Sequence, residues 1–234
     1  MDLDLLQFVP LAVLGAVLGL DVVSFPQAMI SRPIVAATAA GALIGQPGRG
    51  LVMGVALEFF ALESLPFGAS RYPEWGSAAV VGGALFAMTP DGTAAAMTVA
   101  VLAALVTASL GGSSMVLLRQ WNARHAKRQQ EGLARGSGLT IVGLQLAGLT
   151  ADLMRGGLLT LVALAVFAPL REAVLAAVSI SPTLSPTLSR AVVVSVASAV
   201  GLAAVWKVVR TTPGARWWLL GGLTAGFAIA GGLW

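Results

Sequence analysis

The chain has 234 residues, of which 57% are hydrophobic and only 10% charged, and its mean hydropathy is +0.89. Soluble domains carry about 25% charged residues, so this chain has too little charge to cover a water-facing surface. The net charge of +4 lies in a few basic clusters, which is typical of a membrane topology signal and argues against nucleic-acid binding. With no Cys and a single His, we expect no disulfide, no metal site, no cofactor and no His-centred triad. The composition therefore predicts an all-α, polytopic membrane protein.

Residues 1–92 contain only short apolar segments. Residues 5–20 form the first segment, and the acidic Asp2 and Asp4 before it argue against a cleavable signal peptide. Residues 34–44 have about half the length that a crossing requires, so we predict half of a re-entrant hairpin. Residues 51–65 follow, then an irregular polar stretch over 66–76, a short apolar segment over 78–88 and a turn over 89–92.

The remainder of the chain contains longer apolar segments. Residues 94–118 predict a full span, and the basic cluster that follows predicts a cytoplasmic loop over 119–138. Residues 139–170 are too long for one straight crossing and predict either a tilted helix or a short segment followed by a crossing. The tandem Ser-Pro-Thr-Leu repeat over 181–189 predicts a loop, because proline cannot continue a helix. Two spans, over 191–209 and 217–234, end the chain.

These segments predict one membrane domain over residues 1–234, with about six transmembrane helices and one or two re-entrant hairpins. Residues 1–92 form its substrate-path region, 93–118 a span, 119–138 the basic cytoplasmic loop and 139–234 the C-terminal spans. No Walker A sequence, dinucleotide-binding glycine pattern or nucleophile elbow is present, so we expect no catalytic residue in this chain.

The polar residues of the first third are the candidates for a ligand site. Irregular backbone at membrane depth must line a cavity or pack inside protein, because unpaired N–H and C=O groups cost several kcal/mol each in lipid. Ionisable residues at that depth are by default candidates for a substrate path. Carboxylates and amides without a metal suit a neutral polyhydroxylated ligand, since sugar hydroxyls both donate and accept hydrogen bonds. The candidates are Asp21, Gln27, Arg32, Gln46, Glu58, Glu63 and Glu74.

Each candidate has a structural alternative. Asp21 could cap the next helix, and Gln27 could be a polar packing residue. Glu58 could pair with Arg32 or cap the end of a hairpin, and Arg32 is expected to be a carboxylate partner or an interface anchor.

Polar residues elsewhere have simpler interpretations. We expect Glu63, Arg71 and Glu74 at the water boundary, although Glu63 and Glu74 could also support the site from a second layer. His125 is expected to be a solvated loop residue. Asp152 and Arg155 are three apart on a predicted helix and can pair with each other.

The first eighty residues carry a specific pattern. It consists of Leu20-Asp21, Gln27, Ser31-Arg32-Pro33, the Gly50-to-Glu58 helix with Leu57-Glu58, the Gly68-Ala69 turn and Pro73-Glu74, with Leu153-Met154-Arg155-Gly156 later in the chain. This pattern resembles the enzyme IIC component of the mannose/fructose/sorbose family of the bacterial phosphoenolpyruvate-dependent sugar phosphotransferase system. The sequence departs from that pattern at Glu63-Ser64 and Ser70-Arg71-Tyr72, where the family usually has small or apolar residues.

The resemblance implies a permease subunit of the bacterial inner membrane that moves a hexose or amino sugar inward. It implies pairing with a homologous IID membrane subunit, a trimer of IIC–IID pairs, and phosphorylation of the sugar by the cytoplasmic IIA and IIB phosphocarriers rather than by this chain. By the same resemblance, Asp21, Gln27 and Glu58 contact the sugar, and Gly68 and Ala69 shape the pocket turn. Apart from the resemblance, Arg32, Glu63 and Glu74 are candidates for a second layer that supports these residues.

Two other functions remain open at this point. The chain could be a membrane scaffold or regulatory subunit that kept the fold and lost transport, or a stand-alone solute transporter. Neighbouring genes for IIA, IIB and IID partners would favour the phosphotransferase permease.

Overall fold

The computed structural model describes residues 5–62, 71–89, 93–179 and 212–232, together with 198–199, 202–203, 205–206 and 210. All regular structure in this part of the chain is helical, which confirms the all-α class. The predicted loop over 181–189 lies outside the described residues, as do most of the predicted span over 191–209 and residues 90–92 of the predicted turn.

Within the described residues, eight α-helices follow a 3₁₀ turn at Leu5–Phe8. They are α1 (Val9–Asp21), α2 (Pro33–Leu43), α3 (Pro47–Ala61), α4 (Trp75–Ala87), α5 (Ala94–Arg128), α6 (Gln130–Ala134), α7 (Gly138–Ser179) and α8 (Ala215–Gly232).

Local sequence explains where the helices begin. Pro33 and Pro47 are the first residues of α2 and α3, a position where proline loses no hydrogen bond and its fixed φ favours the helix. The side chain of Glu74 accepts the Ser77 N–H at the start of α4, and that of Thr93 accepts the Ala96 N–H at the start of α5. Each cap satisfies a backbone donor that the helix itself leaves unpaired.

The basic segment after Leu118 is helical, so its prediction as a loop is wrong. Helix α5 continues without interruption to Arg128, and α6 follows directly. Hydropathy marks where a segment stops being compatible with lipid, but it does not mark where a helix ends. Residues 119–128 contain neither Gly nor Pro and are rich in helix formers, while the basic side chains of the last turn interact favourably with the helix dipole.

Helix α7 is one 42-residue helix that passes through Pro169, so the alternative of a short segment followed by a crossing does not apply. At 1.5 Å per residue it is about 63 Å long. By length and composition, α5 and α7 are the two described helices that could each cross a membrane, over Ala95–Arg128 and Gly138–Ala177. Three other apolar helices are shorter than a full crossing requires, namely Leu6–Asp21, Pro33–Leu43 and Trp75–Ala87.

Helix α4 lies at the centre of the fold. Every residue from Gly76 to Ala87 is buried, and the helix packs against α1, α2, α3, α5 and α7. Its neighbours instead have one buried and one exposed apolar face, as in α5, where Ala100 and Ala104 are buried while Leu102 and Val106 are exposed. An apolar exterior of this kind suits contact with lipid.

Glycine allows α2 and α3 to pack backbone to backbone. A Cβ atom on Gly50 would lie 2.3 Å from the Ala37 carbonyl oxygen, and one on Gly41 would lie 2.7 Å from Gly50 Cα. Such close approach between small residues is the usual basis of helix association in membranes, where apolar surface gains nothing by leaving lipid.

We expect Gly50→Ala to destabilise the protein by about 1–3 kcal/mol, because the methyl group must separate α2 from α3. Gly48→Ala in the same helix is the matched control, since a Cβ atom added at Gly48 would have no atom within 4 Å. The difference in unfolding temperature is measured on the detergent-solubilised variants, with size-exclusion chromatography as the readout of unfolding. Equal unfolding temperatures for the two variants would contradict the proposed packing.

Candidate functional site

The second half of the loop over residues 22–32, between α1 and α2, is held by the carboxylate of Asp21. Asp21 is 2% exposed, and its two oxygens accept the N–H groups of Ala28 at 2.7 Å and Ser31 at 2.9 Å. Gln27 and Met29 lie in this loop with φ of 59° and 61°, a conformation that non-glycine residues rarely adopt. Asp21 therefore holds an irregular loop in place by accepting two of its backbone N–H groups. It does not cap the next helix, because Arg32 occupies the N-cap position of α2.

Gln27 lies on the outer side of this loop. Its side chain is exposed, and its Nε2 donates to the Val23 carbonyl oxygen. A bound molecule could reach Gln27 without any change in the loop, in contrast to the buried Asp21.

Glu58 joins α3 to the beginning of α2. One carboxylate oxygen is paired with the Arg32 guanidinium, and the other accepts the Ile34 N–H at 3.2 Å. The predicted partnership of Arg32 with a carboxylate is confirmed, and so is the structural alternative for Glu58. Both side chains remain partly accessible, with 33% of Arg32 and 21% of Glu58 exposed. A ligand could therefore compete for this ion pair.

Glu74 does not lie at the water boundary, so that prediction is wrong for this residue. It is completely buried, because it begins the central helix α4, and its Oε1 accepts the Ser77 N–H at 3.0 Å. Arg71, three residues earlier, is exposed. Glu63, Gly68 and Ala69 lie outside the described residues.

A buried charged cluster joins loop 22–32 to the core. Asp152 Oδ1 accepts from Arg155 Nε at 2.8 Å, which confirms the predicted pair, and Asp152 Oδ2 accepts from the Ser24 hydroxyl. Arg155 also donates to the Ser114 hydroxyl at 3.2 Å and lies 3.9 Å from Glu74 Oε2. We call Glu74, Asp152 and Arg155 the charged cluster.

The sequence did not reveal that the charged cluster exists as a unit. Asp152 and Arg155 are visible as a pair from their spacing, but Glu74 is about eighty residues away and Ser24 more than a hundred. Two buried atoms of the cluster, Glu74 Oε2 and Arg155 Nη2, make no hydrogen bond within the described structure. The only available signal was that each residue is ionisable and lies in or beside an apolar segment.

The structure is thus that of a helical membrane protein. In its first third, short helices are joined by polar segments with irregular backbone. The family described as "PTS system sorbose-specific iic component" matches residues 5–230, and the chain belongs to this family. This is the IIC component of the mannose/fructose/sorbose family, as the sequence resemblance indicated. The chain is accordingly a membrane component of a sugar phosphotransferase system, of the permease type.

Comparison with solved structures supports the same fold. One structure, described only as "Structure of membrane protein", superimposes with a TM-score of 0.72 and covers 97% of this chain and 91% of its own. The two sequences are 18% identical, so this similarity concerns the fold alone. No curated protein sequence matches the chain.

Removal of the one cation in the charged cluster should be strongly destabilising. We expect Arg155→Gln to lower stability by about 3–5 kcal/mol, because Asp152 and Glu74 would remain buried without a counter-charge. Arg135→Gln is the control, since the Arg135 side chain is 76% exposed. Thermal unfolding in detergent measures both.

A double variant distinguishes uncompensated charge from lost packing. Asp152→Asn combined with Arg155→Gln removes one of the two buried anions and should recover part of the lost stability. An unfolding temperature for Arg155→Gln equal to that of the unsubstituted protein would contradict the role of the charged cluster.

Proposed function

We propose that this chain is the IIC permease subunit that moves a hexose or amino sugar inward across the inner membrane of a bacterium. In this proposal it pairs with a IID subunit in a trimer of IIC–IID pairs, and the IIB protein, supplied by IIA, phosphorylates the sugar. The observation that carries the proposal is the family match over residues 5–230. The polar loop 22–32 and the Arg32–Glu58 ion pair support the assignment. Both offer hydrogen-bond donors and acceptors beside the apolar helices.

The proposed topology follows from helix length and charge. Helices α2 and α3 have 11 and 15 residues, less than the roughly 20 needed for a crossing, and they form the proposed re-entrant hairpin. The full chain then has about six crossings and one or two such hairpins. The proposal assigns the end of α5 to the cytoplasm. The basic residues Arg124, Lys127 and Arg128, with Arg135 after α6, support this assignment by the positive-inside rule.

The proposed sugar site comprises Asp21, Gln27 and Glu58, with Gly68 and Ala69 shaping the pocket turn. A second layer of residues supports this site in the proposal and consists of Arg32, Glu63 and Glu74. Gln27 is directly accessible, and Glu58 becomes available when a sugar hydroxyl replaces one of its present donors. Asp21 contributes mainly by ordering the loop. A carboxylate has about four acceptor positions, so after two backbone bonds it can still accept from a hydroxyl if the loop opens.

Uptake of labelled hexoses tests this site. We expect Asp21→Asn and Glu58→Gln each to lower uptake about tenfold or more, because a hydrogen bond to a charged group contributes about 1.5–3 kcal/mol. Cells would co-express the IID, IIA and IIB partners, and rates would be normalised to the amount of subunit in the membrane. Glu131→Gln is the control, because Glu131 is 94% exposed and its partner Arg135 is also largely exposed.

The outcomes separate the candidate functions. Unchanged uptake in both site variants would exclude the binding assignment. A complete complex that takes up no hexose would contradict transport by the phosphotransferase system and favour a scaffold or regulatory role. Uptake by this chain without its partners would favour a stand-alone transporter.

Assembly with IID can be measured separately. We expect the tagged chain, solubilised in mild detergent, to co-purify with the co-expressed IID subunit at a one-to-one ratio. The apolar outer faces of α5 and α7 supply surface for such a partner, although lipid can cover them equally well. Native mass spectrometry that detects only the isolated chain would contradict the paired assembly.

A further inference from the structure

A cavity of about 600 Å³ opens beside loop 22–32, between the basic end of α5 and the first turns of α7. Its polar lining comes from Ser24, Asn122, His125 and Gln145, and its apolar lining includes Phe25 and Leu149. Ligand pockets in proteins range from about 300 to 1,000 Å³, so the cavity can hold a small molecule with room for its water. A neighbouring cavity of about 350 Å³ shares His125 with it and continues along α7 to Thr140.

The lining chemistry favours an uncharged, hydroxyl-rich ligand. None of the nine described lining residues is Asp, Glu, Lys or Arg, although basic residues surround the cavity on α5. A phosphate group, whether of a lipid or of a sugar phosphate, would find no guanidinium or ammonium in the described wall. Asn122 and Gln145 each present both donors and an acceptor, which is the combination that a hydroxyl group matches. The ring of Phe25 adds an apolar surface for the C–H face of a sugar.

The cavity is connected to the proposed sugar site through the backbone of loop 22–32. Ser24 lines the cavity and also donates its hydroxyl to Asp152, so the charged cluster fixes this part of the wall. The same loop is held by Asp21 at its other end. A ligand in the cavity and a ligand at Gln27 would therefore contact nearby residues of one short loop, since Gln27 follows Phe25 by two positions.

We propose that this cavity is a second sugar subsite, which holds the neutral monosaccharide on the cytoplasmic side before phosphoryl transfer. The proposal rests on the proposed function, since it takes the transported sugar as its ligand and the basic end of α5 as cytoplasmic. The sugar moves from the loop site past Ser24 and Phe25 into the cavity, where a soluble phosphocarrier can reach it.

The absence of cysteine from the chain allows a direct test. A single-cysteine variant, Gln145→Cys, places a thiol in the cavity wall, and Thr150→Cys places one on an exposed position of the same helix that does not line the cavity. The full complex, reconstituted in nanodiscs with its partner subunits, is labelled with a maleimide in the presence of mannose, N-acetylglucosamine or mannose 6-phosphate. Uptake by the unsubstituted complex identifies which sugar it transports.

We expect the transported sugar to slow labelling of Gln145→Cys and to leave Thr150→Cys unchanged. At a concentration about ten times the dissociation constant, about 90% of the sites are occupied and labelling slows about tenfold. A transporting complex in which no sugar slows labelling would overturn the subsite but not the proposed function. Protection by mannose 6-phosphate alone would overturn the neutral-sugar assignment. A complex that transports no hexose would overturn both proposals.

A substitution that fills the cavity with a larger side chain tests the subsite independently, through sugar uptake. The three atoms nearest to a Cβ atom on Gly148 would all belong to the Asn122 side chain, at 3.6–3.8 Å, so the backbone leaves room for Gly148→Leu to extend into the cavity. We expect this variant to lose about tenfold in uptake, whereas Thr150→Leu on the same helix retains it. Uptake by Gly148→Leu equal to that of the unsubstituted complex, at equal amounts in the membrane, would contradict the subsite.

Discussion

The arrangement of the described helices depends on one buried cation. Arg155 on α7 lies between Asp152 on its own helix and Glu74 at the start of α4, and it also reaches Ser114 on α5. Buried charges are tolerated only when they are paired and hydrogen-bonded, so these three helices must keep their relative positions for the cluster to remain neutralised. Through Ser24, the same cluster fixes one side of loop 22–32. The central helix, the two long helices and the candidate site are therefore coupled by a few polar contacts inside an apolar fold.

Hydropathy predicted the positions of the helices well and their ends less well. The predicted segments over 34–44 and 78–88 agree within a few residues with α2 and α4, because Pro33 and the turn after Met88 mark the boundaries in the sequence. The end of α5 was missed by ten residues, since the chain becomes polar at Arg119 without becoming less helical. The burial of Glu74 could not be predicted either. It depends on Arg155, which lies in a different helix, and no local pattern links the two residues.

In the candidate site, the sequence indicates which residues are unusual but not which partners they have. Residue type and position make Asp21 and Glu58 candidates, because carboxylates are rare within or beside apolar helices. Their present partners, however, are backbone N–H groups and Arg32, so the first role seen for each is to hold irregular backbone in place. Such a role is compatible with ligand binding, since a pre-ordered loop loses less entropy when a ligand binds. Gln27 is the candidate whose exposure most directly suits contact with a sugar.

In the proposed topology, the continuous helix beyond Leu118 also determines where a soluble protein would meet this chain. Ten residues at 1.5 Å each carry Asn122, His125 and Arg128 up to about 15 Å past Leu118, where the continuous apolar segment ends. The headgroup layer on one side of a bilayer is only about 5–8 Å thick, so in the proposed topology the tip of this helix would extend beyond the lipid. A phosphate donor could thus approach without displacing any lipid, guided by charges that remain in water. Attraction between such exposed charges falls off over about 8 Å at physiological ionic strength, so this encounter should weaken as salt is added.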